Sequence, residues 1–198
     1  KHSINGLFVS HDREYLSDCL HCVPGIPAAQ ADADDHLRPN QLLAITLGAV
    51  TDKELCRKIV SSCETLLVPG GIRSLADKPV KYKLPIHGKD RHLLNNPERP
   101  YYGIYEGDED TRRKPAYHNG TAWTWQFPLY PEAYFMTYGS PGRKTAKAIL
   151  SSSEILLREG CVAHLPEIMD GNYPHKERGC DAQAWGITEL YRVWKLLK

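Results

Sequence analysis

The amino-acid sequence predicts an all-α fold. Apolar residues recur every three or four positions in successive segments. Gly and Pro stand where each of those segments would stop. No strand-rich alternation of apolar and polar residues runs over a useful length.

Taken in order, Tyr15, Leu16, Cys19 and Leu20 set a first helix over Asp12 to Cys22, closed by Pro24, Gly25 and Pro27. An acidic loop follows, and then a short apolar helix from Pro39 to about Gly48. Thr51 and Glu54 form a T-x-x-E capping box for the next helix. Its stripe is Leu55, Ile59, Cys63, Leu66 and Leu67, and Pro69-Gly70-Gly71 ends it. From Gly71 to about Gly120 the chain reads as loop, and a loop of that length argues for a function. Helical signals resume from about Trp125 to Tyr138. Ser140 and Pro141 then suit the N-cap and first position of a helix carrying Ala146, Ile149, Leu150, Leu156 and Leu157, and Gly160 closes it. A second loop runs from Cys161 to Gly179. The last helix, about Asp181 to Leu197, has Ile187, Leu190, Tyr191, Trp194 and Leu197 on one face. Long loops rich in aromatic and charged residues alternate with tight links, as expected if the loops gather at one end of paired helices and line a cleft.

With 198 residues, the chain suits one domain or part of a larger one. A net charge of +1 gives no reason to expect nucleic acid or an anionic membrane as partner. No apolar run approaches the roughly 20 residues that span a bilayer. The six cysteines include one C-x-x-C, Cys19 and Cys22, without the second close pair or His pair that a zinc site needs. No metal and no organic cofactor is expected. Reduced, structural thiols fit a cytoplasmic protein.

Four polar and aromatic clusters are the candidates for chemistry. Asp34-Asp35-His36-Leu37-Arg38-Pro39-Asn40-Gln41 either caps the helix that follows or forms a polar rim for several hydroxyls. Tyr101 to Asp108, with Tyr102, Tyr105 and Glu106, either covers the core or stacks on sugar rings. In Tyr117-His118-Asn119-Gly120-Thr121-Ala122-Trp123-Thr124-Trp125, a core role would account for the aromatics but not for His118 and Asn119. In Leu165-Pro166-Glu167-Ile168-Met169-Asp170-Gly171, Glu167 sits between apolar neighbours. It is either a surface loop residue or a held, partly desolvated carboxylate suited to general-base work. Gly179 to Ile187, with Gln183 and Trp185, follows.

Taken together and in this order, D-D-x-L-R-P-N-Q, G-I-R-S-L, Y-x-G-x-Y-E-G-D, A-Y-H-N-G-T-A-W-T-W and P-E-I-M-D-G with R-G-C-x-A-Q-A-W resemble the C-terminal part of the amylo-α-1,6-glucosidase (glycogen debranching) family. The resemblance covers about Asp34 to Trp194. It implies the C-terminal portion of a single (α/α)6 toroid of the glucoamylase-like type, and inverting hydrolysis of α-1,6-linked glucose at branch points of glycogen-like polymers. It implies Glu167 as general base. Arg38, Asn40, Tyr117, His118, Trp123, Trp125, Gln183 and Trp185 match motif positions that suit substrate binding, with Asp35 and Glu106 behind them. An α-glucan or glucose oligosaccharide is the implied substrate. The family carries Gln where Asn119 stands, Val at Ala122 and Pro at Thr124. Its general acid lies in a W-M-D segment that this sequence does not contain, so the acid and the first half of the toroid are expected outside the chain. Such a part would be a weak catalyst alone, and its open helix faces would suit a complementary half or a second copy. A trehalase-like α-glucosidase on the same fold and a non-catalytic carbohydrate-binding module remain open beside this reading.

Overall fold

A computed structural model describes residues 1–10 and 12–198. Helix α4 (Leu129–Tyr138) is its hub. Leu129, Tyr130 and Ala133 are all buried on it, so it is apolar on more than one side and must be surrounded. Four helices do so: α1 (Leu42–Thr46), α2 (Lys53–Glu64), α5 (Arg143–Leu150) and α6 (Ala184–Leu197). Helix α2 turns Cys56, Ile59, Val60 and Cys63 inward and leaves its charged face to water. A fully buried Ile59 or Leu42 contributes about 1.5–3 kcal/mol relative to exposure.

Beside the helices lies an antiparallel five-stranded sheet of order β3 (Leu67–Val68), β4 (Gly71–Arg73), β5 (Ala122–Trp123), β6 (Ile168–Met169) and β7 (Glu177–Arg178). Pro69 and Gly70 make the two-residue link from β3 to β4, and Gly70 takes φ +70°, a conformation open to glycine. A second, two-stranded sheet pairs β1 (Leu20–His21) with β2 (Asp32–Ala33). Another short helix, α3 (Lys114–Tyr117), leads into β5.

The fold is therefore mixed α and β, which corrects the expectation of an all-α chain and of part of an (α/α)6 toroid. The strands escaped the sequence pattern for a physical reason. Each is two or three residues long, too short to display a period of two. Those at the sheet centre are buried on both faces, so Ile72, Ala122, Trp123, Ile168 and Met169 carry no polar alternation.

The helix expected over Asp12 to Cys22 is absent among the described residues. Its backbone bonds elsewhere: the Leu16 N–H donates to Gln41 Oε1 at 3.0 Å, the Ser17 N–H to Phe8 O at 2.9 Å, and Leu20–His21 pairs as a strand. Cap Asp52, not Thr51, starts α2, its side chain accepting from the Leu55 N–H at 2.8 Å. Ser140 makes no side-chain cap, and Ser140–Gly142 is a 3-10 turn ahead of α5. Regular α-helix ends there at Leu150, short of Leu157.

Candidate functional site

Arg38 precedes a 3-10 turn at Pro39–Gln41, and its side chain gathers three distant loops. Nη1 donates to Ser74 O at 3.0 Å and to His118 O, and Nη2 donates to Asn119 Oδ1 at 2.8 Å. Nε forms an ion pair with Asp18 Oδ2 at 3.3 Å. Burial holds the Arg38 guanidinium below its ordinary value, against the opposing pull of Asp18 and Asp34. Next along the turn, Asn40 donates from Nδ2 to Asp18 Oδ1 at 2.9 Å and accepts at Oδ1 from Gln126 Nε2 at 2.9 Å. Gln41 ties this turn to the N-terminal segment through Leu16, two residues before Asp18.

Asp18, Arg38, Asn40, Ser74 and Gln126 form the polar side of a cavity of about 380 Å³. Its other side is aromatic. Trp125 and Trp185 stack with ring centres 5.0 Å apart, and Trp123 meets Trp185 edge-on at 6.2 Å. His118 lies parallel to Trp123 at 5.6 Å. Partial burial, together with the Arg38 charge, lowers the His118 pKa and favours the neutral imidazole. Trp123 is fixed by its place in β5 and by donation from Nε1 to Tyr117 O at 3.2 Å. The backbone of α6 comes close to Thr124, the residue after β5, at Gly186, where an added Cβ would lie 3.1 Å from Thr124 Oγ1. This approach carries Trp185 to Trp125.

Glu167 stands next to this cavity, at the head of β6. Pairing of Ile168 with Trp123 sets its register, and the Thr124 hydroxyl donates to Pro166 O at 2.6 Å. Its carboxylate is held at both oxygens. The Tyr117 hydroxyl donates to Oε1, and the Cys180 N–H donates to Oε2 at 3.1 Å. Tyr117 in turn packs against Trp123 at 4.9 Å and His118 at 4.7 Å. Gly179, at φ +73°, makes room for the carboxylate, since a Cβ there would lie 2.5 Å from Glu167 Oε2.

Of the residues singled out in the sequence, Arg38, Asn40, His118, Trp123, Trp125 and Trp185 line one cavity, and Tyr117 links it to Glu167. Gln183 precedes α6, with its Oε1 buried and unpartnered. Asp35 and Glu106 lie outside this cavity's lining. Asp35 accepts from the backbone N–H groups of Lys81 and Tyr82. Glu106 pairs with Arg178 at 3.0 Å, beside the buried Asp170. The sequence reading missed Asp18, Ser74 and Gln126 as cavity residues. Ser74 sits inside the G-I-R-S-L motif, which was the available signal; Asp18 had none, lying in a segment read as a helix.

Among the described residues, no cluster of His, Cys, Asp and Glu is arranged to hold a metal ion. No helix there is long and apolar enough to cross a membrane. All six cysteines are free, and burial pushes the Cys63 thiol well above its ordinary range.

Indoles facing hydrogen-bonding side chains, beside a carboxylate held at both oxygens, make a site suited to a neutral polyhydroxyl ligand. The chain belongs to the amylo-alpha-1,6-glucosidase family, whose model matches it over residues 1–93 and 91–192. No curated protein sequence matches it.

Proposed function

We propose that the protein is an inverting α-1,6-glucosidase that removes glucose left at branch points of glycogen-like α-glucans, with Glu167 as general base. The observation that carries this reading is the Glu167 carboxylate, gripped by Tyr117 and Cys180 beside an aromatic-walled cavity. Each carboxylate oxygen has a second acceptor site, so one remains to take a proton from a bound water. In an inverting reaction that water attacks the anomeric carbon from the face opposite the leaving oxygen, and a second carboxyl about 6.5–9.5 Å away protonates the leaving group. We assign that acid to a part of the protein outside these 198 residues. Family membership supports the substrate class, and the Trp125–Trp185 pair supports stacking on a sugar ring.

The test is glucose release from a phosphorylase limit dextrin by the full-length gene product, wild type beside Glu167→Gln. A loss of about 10²–10⁴-fold in a folded variant is expected for removal of a general base. The sugar first released should be β-glucose. Undiminished turnover by the variant would move the base elsewhere, and release of α-glucose would exclude inversion.

A further inference from the structure

Asp18 lies outside every motif that carries the family resemblance, yet the cavity's hydrogen bonds converge on it. Gln126 Nε2 donates to Asn40 Oδ1, and Asn40 Nδ2 donates to Asp18 Oδ1, each at 2.9 Å. Arg38 Nε lies 3.3 Å from Asp18 Oδ2. The remaining Arg38 contacts go to Ser74, His118 and Asn119. Arg38 and Asn40 are therefore largely committed to protein partners and orient the carboxylate.

That carboxylate keeps acceptor capacity. It offers about four lone-pair sites, of which the two neighbours occupy two. Its side chain is 23% exposed and lines the cavity. The backbone beneath it is anchored, since the Asp18 N–H donates to the buried Asp34 Oδ1 at 2.8 Å. Such a pre-held anionic acceptor suits a ligand that brings hydroxyl donors and no negative charge.

The geometry points to Asp18 as a specificity-determining residue that accepts hydrogen bonds from hydroxyls of a neutral terminal pyranose and turns away anionic sugars. This rests on the sugar-binding part of the function proposed above. Arg38 acts through Asp18 as a positioning residue.

Tryptophan fluorescence of the full-length gene product, titrated with glucose, glucose 6-phosphate and glucuronate, tests the assignment through the indoles of the cavity. The wild type should bind glucose at least about tenfold more tightly than either anion, the size of one lost charge-assisted hydrogen bond. Asp18→Asn should weaken glucose by about 10–100-fold and narrow the preference over the anions. Wild-type binding of glucose 6-phosphate as tight as that of glucose overturns the assignment, and that measurement needs no variant to fold. So does the absence of any sugar response. If glucose release from limit dextrin proceeds while Asp18→Asn leaves KM and the titration unmoved, the Asp18 role alone fails. Glucose binding with the expected discrimination but without hydrolysis upholds Asp18 and removes the hydrolase reading.

Discussion

The Tyr117 ring packs against Trp123 and His118, while its hydroxyl donates to Glu167. Burial and then the neighbouring carboxylate push its phenol far above the ordinary range, so it stays protonated at physiological pH and serves Glu167 as a donor. Tyr117→Phe keeps the ring and deletes only that donor. The expected result is a fall in kcat of about tenfold, the rate equivalent of about 1–1.5 kcal/mol, with KM little changed. Steady-state kinetics on limit dextrin decides the matter, because a raised KM with intact kcat would instead make Tyr117 a sugar contact. The aromatic run that contains Tyr117 was legible in the sequence, and so was Glu167 within P-E-I-M-D-G. Their pairing was not, since it joins side chains 50 residues apart that share no local pattern. Asp18 was still less legible, because its meaning comes from Arg38 and Asn40 on another turn.

At the scale of elements, local signals identified helices better than their ends. The stripe through Ile59 and Cys63 did mark the buried face of α2. The start was misplaced by one residue, because Thr51 with Glu54 satisfies the capping-box spacing while Asp52 offers a stronger acceptor in the same turn. This makes a sharp test. Asp52→Ala should cost about 1 kcal/mol of stability by loss of the bond to Leu55 N–H, whereas Thr51→Ala should cost little. Urea midpoints of the two variants check it, and equal losses would return the cap to Thr51. The strands show the opposite balance. A pair such as Ala122–Trp123 gains its bonds wholly from Arg73, Ile72, Ile168 and Met169 far away, so nothing within two residues could announce it.

Across the whole molecule, α6 joins the cavity to the helical core. Its first turn presents Trp185, and Gly186, Leu190, Val193 and Leu197 face inward. The sequence stripe had placed Tyr191 and Trp194 on that face, yet they are 58% and 44% exposed. The buried set is rotated because Gly186 admits a close approach and Arg192 reaches back to α4. Arg192 donates to Glu132 from both terminal nitrogens, at 2.8 and 2.5 Å, and also to Glu189 at 2.9 Å. The two ends of the main pair are unequal: the Glu132 side chain is 9% exposed and that of Arg192 is 45% exposed. Removing the arginine strands a buried carboxylate, which costs about 1–3 kcal/mol as an unsatisfied group, or more if the charge persists. Glu132→Gln keeps the shape and frees an arginine that water and Glu189 still satisfy. Arg192→Ala should therefore lower the urea midpoint by clearly more than Glu132→Gln. If the order is reversed, the buried carboxylate is not what gives the α4–α6 contact its sensitivity, and packing around Leu190 and Val193 carries the docking of α6 instead.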